Sequence, residues 1–360
     1  METQVNISGS SLIVPCVQDI VKENLTTVPK RYVRDDQEPP VITDARSGLP
    51  QVPVIDLGRL VSEDRAKPEL EKLHHACKDW GFFQLINHDV SPKLIEKVKK
   101  GTEELFNMPM EEKKKFWQRD GESDGFGQAF VLSEDQKLDW ADIFYMMTLP
   151  ASIRKPHLFP KLPLPFRDDL DTYSKEMQTL AIKLLYLMAK ALGMEAKDLE
   201  GMFEGGLQGM RMNYYPPCPQ PELVIGLNSH SDADAITILL QVNEMEGLQI
   251  RKDGKWVPVK PLPGAFIINV GDVVEIITNG IYQSIEHRAT VNAVKERVSI
   301  ATFSSPRMDA EIGPAPSLIT PETPALFRRI SAAEHLRGYL TSKLQGKAYL
   351  DAMRVRHKEA

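Results

Sequence analysis

From about residue 208 to residue 303 the chain is written in short runs where apolar and polar positions alternate. In Met210-Arg211-Met212-Asn213-Tyr214-Tyr215 the odd positions carry an arginine, an asparagine and a tyrosine. Successive side chains of a strand point to opposite faces, so this spelling predicts one face toward a cavity and one toward the hydrophobic interior. β-rich pieces separated by Pro, Gly and Asn are expected at 208–215, 223–230, 236–242, 247–250, 255–260, 265–277, 282–291 and 297–303. A succession of this kind predicts a double-sheet jelly roll.

The flanking sequence changes period. Val52–Leu57 reads as a short strand, Glu69–Trp80 as a helix and Gly81–Asn87 as a second strand. Residues 91–117 read as an amphipathic helix broken at Pro109, and Ala181–Leu192 as an apolar helix stopped by Gly193. The expected fold class is mainly β with helices (α+β). The expected organisation is an N-terminal arm over 1–50, an N-terminal α/β region over 51–165, a helical segment over 166–205, the jelly-roll core over 206–306 and a C-terminal helical segment over 307–360. Within that last segment, 331–343 is helix-compatible and is expected to pack against the outside of the barrel.

Composition narrows the partners. A formal charge of -6 and a pI near 5.8 argue against nucleic acid and anionic membrane, which select clustered excess Lys and Arg. No run of apolar residues is long enough to span a bilayer. Cys16, Cys77 and Cys218 show no short paired spacing, which disfavours a disulfide framework or a thiolate zinc site and suits a reducing, cytoplasmic compartment. A monomer acting on a small-molecule substrate is the default.

The chemistry lies in the alternating block. His230 and Asp232 stand one residue apart, His287 follows in another β-rich piece, and Arg297-Val298-Ser299 comes after it. Two imidazoles and a carboxylate form the facial triad that holds non-haem Fe(II) with positions left open, although catalytic zinc accepts the same donors. Arg297 and Ser299 favour iron with a dicarboxylate cosubstrate, because a guanidinium grips a carboxylate with two donors and a serine two residues on shares its face. The plainer alternative pairs Arg297 with Glu296. Asn213 and Tyr215, on one face, are candidates to complete the cosubstrate pocket. Asp234 has the parity of Asp232; it points into the cavity, favouring an amine-bearing substrate, if the strand continues, and is otherwise a solvated loop carboxylate. Phe303, Arg211, Ile143 and Tyr145 are candidates for the substrate wall, with core packing as the alternative reading of each.

Several motifs together resemble the plant 2-oxoglutarate- and Fe(II)-dependent dioxygenases from about residue 50 to 350: Trp80-Gly81-Phe82-Phe83-Gln84-Leu85-Ile86-Asn87-His88, Asn213-Tyr214-Tyr215-Pro216-Pro217-Cys218-Pro219, His230-Ser231-Asp232, Asn279-Gly280-Ile281-Tyr282-Gln283-Ser284-Ile285-Glu286-His287-Arg288 and Arg297-Val298-Ser299. Asp124-Gly125-Phe126-Gly127-Gln128 and Lys137-Leu138-Asp139-Trp140 are similar to the senescence-related branch, which includes opiate alkaloid O-demethylases. The resemblance implies a double-stranded β-helix core, iron on His230, Asp232 and His287, and 2-oxoglutarate on Arg297, Ser299, Tyr215 and Asn213. It implies use of O2, with ascorbate as reductant, and release of succinate and CO2. The expected outcome is hydroxylation or O-demethylation of a small plant specialised metabolite, an alkaloid or phenolic. An ascorbate-dependent iron oxidase of the ethylene-forming type and a non-enzymatic metal-binding jelly roll are the alternatives. The chain departs from the family pattern at Asp89, where glycine is usual and where Asp tolerates left-handed backbone, and at Asp234-Ala235.

Overall fold

In the alternating block most strands that follow one another in the chain cross between two sheets. The computed structural model describes residues 11–23, 25–41, 50–119, 122, 124–128, 131, 133–199, 201–340 and 346–355. The start and end of the expected arm, and the last residues of the stretch 331–343, lie outside that range. The strands are β1 (Val54–Asp56), β2 (Phe82–Ile86), β3 (Gly125–Gly127), β4 (Asp142–Leu149), β5 (Leu207–Tyr215), β6 (Leu227–His230), β7 (Ile236–Gln241), β8 (Leu248–Lys252), β9 (Lys255–Pro258), β10 (Phe266–Val270), β11 (His287–Ala289) and β12 (Arg297–Ser305). A short hairpin, β13 (Glu311–Ile312) with β14 (Ile330–Ser331), follows. The major sheet has the order β1-β2-β10-β7-β12-β5-β4-β3 and the minor sheet the order β6-β11-β8-β9. From β5 to β12 the chain therefore alternates major and minor, apart from the β8–β9 hairpin that stays within the minor sheet, which is the winding of a jelly roll.

The helices are α1 (Val17–Lys22), α2 (Leu57–Leu60), α3 (Ala66–His75), α4 (Pro92–Phe106), α5 (Met110–Lys113), α6 (Phe166–Leu192), α7 (Asp272–Ile277), α8 (Ala332–Leu340) and α9 (Ala348–Met353). Helix α6 buries Leu170, Tyr173, Met177, Leu180, Leu184 and Met188, a stripe at steps of three and four. That stripe joins Met210, Met212, Ile238, Phe266, Val298 and Ile300 in the main core. The even positions of β5, β7, β10 and β12 are thus committed to a helix-covered interior, and the odd positions of β5 and β12 face the other way. Gly193 ends α6 in the left-handed region at φ 78°, where its N–H and that of Met194 satisfy Lys190 and Ala189 carbonyls. Asp89 takes left-handed backbone at φ 62°.

Two expectations change. The piece 265–277 is a strand only to Val270; Asp272–Ile277 coils into α7, with every residue buried. Its β-branched spelling suggests a strand, yet Val273, Val274, Ile276 and Ile277 bury a helical face, and tertiary packing overrides local propensity. The piece 282–291 forms ladder pairs only at His287–Ala289, because Tyr282, Ser284 and Gln283 give their N–H groups to Thr278 Oγ1, Glu275 Oε2 and the Cys77 carbonyl. The C-terminal segment supplies helix α8 within 331–343. It reaches the rim, where Gly346 bridges the free edge of β6 at His230 and His335 Nε2 lies 2.9 Å from the Ala233 carbonyl.

Candidate active site

His230 ends β6 and pairs across the minor sheet with His287, which opens β11. Their rings lie 4.4 Å apart between centroids. His230 Nδ1 is 2.7 Å from the Asn228 carbonyl and His287 Nδ1 is 3.1 Å from that of Ile285. A carbonyl only accepts, so each Nδ1 carries a proton and each Nε2 is left to face the cavity. Both Nε2 atoms look at Asp232 Oδ1, at 3.4 Å and 3.7 Å. The other carboxylate oxygen, Oδ2, accepts from Thr237 Oγ1 at 2.6 Å and Asn269 Nδ2 at 2.8 Å. The ligand atoms of all three residues lie within 4.8 Å of one another, and all three residues are buried.

This cluster has the properties a divalent ion requires. His230 Nε2 is buried without a hydrogen-bond partner. Burial and the neighbouring His230 push His287 down to about 4, against the pull of Asp232, which keeps its imidazole neutral near neutral pH. Burial alone would raise Asp232, but His287, His230 and the Thr237 hydroxyl outweigh it and hold the carboxyl well below the usual range. Two imidazoles and an ionised carboxylate, each oriented from behind, match a His, His, carboxylate metal site with its supporting hydrogen bonds.

Across the cavity stands a buried cation. Arg297 starts β12, pairs in register with Tyr215, and is 2% exposed. Its Nη2 donates to Gln241 Oε1 at 2.9 Å, its guanidinium sits 5.2 Å from the Tyr215 ring, and its Nε is buried without a partner. Among the described residues no carboxylate pairs with it, so the alternative of a structural pair with Glu296 is set aside. Burial lowers its pKa, as expected of a cation without a counter-charge. Ser299 lies one step along the same face, and its Oγ accepts from Asn213 Nδ2 at 3.3 Å, leaving the hydroxyl proton for another acceptor. Arg297, Ser299, Asn213 and Tyr215 line one cavity with Asp232 and His287, with an empty volume of about 430 Å³.

Residues 207–306 match the 2OG-Fe(II) oxygenase superfamily, and residues 52–162 match the non-haem dioxygenase in morphine synthesis N-terminal family. The chain is 56% identical to Protein SRG1 of Arabidopsis thaliana, over 99% of this chain and 100% of that protein. The chain belongs to the 2OG-Fe(II) oxygenase superfamily. Other members at similar distance are a flavonoid 7-O-demethylase of Ocimum basilicum, 55% identical over 97% of this chain and 93% of that one, and codeine O-demethylase of Papaver somniferum, 52% identical over 99% and 100%. A solved structure of JOX2 in complex with 2OG, Fe and JA aligns with a TM-score of 0.85 at 32% identity, covering 95% of this chain and 98% of that one. The protein is therefore a dioxygenase that uses Fe(II), 2-oxoglutarate and O2.

Around this oxygenase's cavity the remaining candidates separate. Arg211 and Phe303 line it, with the guanidinium 5.3 Å from the Phe303 ring and the Arg211 Nε buried without a partner. Ile143 and Tyr145 pair in register with Asn213 and Arg211 but are not among the lining residues. Asp234 departs most from expectation. The strand stops at His230, and the Asp234 carboxylate turns to the Ser305 hydroxyl instead of extending the parity of Asp232. Burial, against that hydrogen bond, pushes its pKa up to about 6. Sequence reasoning passed over Thr237, Gln241 and Asn269. The signals were present: Thr237 and Gln241 share the odd face of β7, and Asn269 is the single polar residue in Phe266–Val270.

Proposed function

We propose that this dioxygenase holds Fe(II) on His230, Asp232 and His287 and binds 2-oxoglutarate through Arg297 and Ser299, with Tyr215 and Asn213 closing the pocket. It oxidises a flat, oxygen-bearing small molecule, a phenolic or an alkaloid, by hydroxylation or O-demethylation. The observation that carries the reading is Arg297, a buried guanidinium without a carboxylate partner among the described residues, facing the His, Asp, His cluster across one cavity. A buried unpaired charge is costly, and a dicarboxylate ligand removes that cost by supplying the missing anion. When bound, Fe(II) supplies the redox chemistry that couples O2 and 2-oxoglutarate to substrate oxidation.

The chain's own residues perform the rest. Thr237 and Asn269 keep Asp232 Oδ1 turned inward, and the Asn228 and Ile285 carbonyls do the same for the imidazole Nε2 atoms. Arg297 and Ser299 orient the far carboxylate of the cosubstrate and exclude water from its end of the cavity. Arg211 offers a donor to an acceptor oxygen of the substrate, and Phe303 a ring face to stack on. The resemblance to flavonoid and codeine O-demethylases supports a methoxy-bearing substrate. We further read the enzyme as a cytoplasmic monomer that uses ascorbate to keep its iron reduced; three buried, unpaired cysteines suit a reducing compartment.

The test is succinate release in the presence of Fe(II), 2-oxoglutarate and a panel of methoxylated flavonoids and alkaloids, with formaldehyde measured alongside. Succinate and formaldehyde rising together with one substrate class supports the reading. Substrate turnover that proceeds without 2-oxoglutarate would sink it.

A further inference from the structure

The two histidine-bearing strands are short. β6 has four residues and β11 three, and their ladder shifts register between His287 and Ala289. So few ladder bonds hold the spacing of two imidazoles weakly. The stretch 34–41 of the N-terminal arm meets both strands. At one end Arg34, 9% exposed, donates from Nη2 to Asn228 Oδ1 at 3.2 Å and from Nη1 to Asp139 Oδ1 at 3.4 Å. Asp139 Oδ2 accepts from the Asn228 backbone N–H at 3.3 Å, and the carbonyl of that same Asn228 receives His230 Nδ1. At the other end Arg288, 0% exposed and next to His287, donates to the Glu38 and Pro39 carbonyls at 2.6 Å and 2.9 Å. Gln249, the register partner of Arg288, donates to the Val41 carbonyl at 2.7 Å. The Arg288 guanidinium is stacked 4.2 Å from the Trp256 ring, so this anchor is itself rigid.

We propose that residues 34–41 form a belt that sets the spacing and orientation of His230 and His287, with Arg34 a positioning residue acting on His230 through Asn228. The inference rests on the reading of His230, Asp232 and His287 as the metal site. Arg34 belongs neither to the His230, Asp232, His287 cluster nor to the lining of the cavity. It clamps the residue whose carbonyl fixes the tautomer and tilt of one ligand, and removing such outer partners typically weakens metal binding by roughly 10–100-fold. Arg288 and Gln249 fasten the opposite end, so a slack belt lets β6 move against β11.

Full-length Arg34→Ala and Arg34→Lys are compared with wild type using Co(II) alone as the probe. The readouts are the dissociation constant, the position of the visible cobalt absorption bands, and the apo-protein melting temperature. The expected result is a dissociation constant raised about tenfold in Arg34→Ala, with shifted bands. Arg34→Lys keeps a cation opposite Asp36, which Arg34 grips from Nε and Nη2 at 2.8 Å and 2.9 Å, and opposite Asp139, but has no fork to reach Asn228 as well, and it should fall between the two. Wild-type affinity and wild-type bands in a folded variant overturn the proposal; where Arg34→Ala does not fold, Arg34→Lys decides by the same criterion. His230→Ala separates the two levels: if it abolishes Co(II) binding while the Arg34 variants bind as wild type, the belt alone fails. If it leaves Co(II) binding intact, the metal-site reading fails and the belt with it.

Discussion

At the scale of single residues, the cavity is organised by charges placed where water cannot reach them. Arg297 is the clearest case, because its fork rather than its charge alone matches a carboxylate. Arg297→Lys keeps the cation and loses the second donor, so the KM for 2-oxoglutarate should rise at least about tenfold with a smaller change in kcat. Steady-state succinate formation measures this, and an unchanged KM would count against the assignment. Asp124, at the start of β3, offers a test away from the site. Burial, only partly offset by Lys155, raises its carboxyl to about 6, and its Oδ2 has no partner. A raised folded-state value means its contribution to stability is fully present below the unfolded value near 3.8 and is lost as pH rises through about 6. Asp124→Asn should therefore be no more stable than wild type at pH 4 and more stable at pH 8, by roughly 1–3 kcal/mol. Parallel melting curves at the two pH values decide the point.

Elements position these residues through close approaches that only small side chains permit. The loop carrying Asp232 leaves β6, and the turn between β10 and α7 closes over it at Gly271. There a Cβ would lie 2.0 Å from the Asp234 carbonyl oxygen, a backbone atom with no freedom to swing away. The N–H groups of Gly271 and Asp272 bond the Ala235 and Asp232 carbonyls, so the loop and turn move as one piece. Gly271→Ala should displace that loop and weaken Fe(II) binding more than tenfold while leaving far-ultraviolet dichroism near wild type. Metal titration of the folded variant is the measurement. Gly81 does the same on the other side: at φ 60° it ends the turn after α3, and a Cβ would meet the Gln283 carbonyl at 2.2 Å, close to the segment that delivers His287.

For the whole molecule, two sheets, an N-terminal arm and a C-terminal segment converge on one end of the barrel. The C-terminal segment is tied down where Lys347 and Arg354 meet the buried Glu275 at 2.8 Å and 3.0 Å. A site assembled from so many separate parts should couple ligand binding to global stability. Fe(II) with 2-oxoglutarate under anaerobic conditions should raise the melting temperature by several degrees, since ligand at a hundredfold its dissociation constant adds about 2.7 kcal/mol. Chelation with EDTA should abolish both the shift and succinate release, and fresh Fe(II) should restore them. A melting temperature indifferent to ligand would contradict the convergence.

Much of this was legible along the chain because strand parity and helix periodicity are local properties. Alternation in 208–215 is enough to assign Met210 and Met212 to the interior and Arg211, Asn213 and Tyr215 to the opposite face, and the spacing around Gly193 is enough to end α6. The motifs around His230, Asp232, His287 and Arg297 are also local, and they carry the family resemblance. Other features depend on residues far apart in the chain. Asp272–Ile277 is spelled like a strand and coils because a helical face fits the core. Asp234 shares the parity of Asp232 yet turns to Ser305 because the strand has already ended. That Asn269 and Thr237 grip Asp232, or that Arg34 reaches Asn228, follows from no local pattern: a hydrogen bond between distant segments exists only once packing has already brought them together.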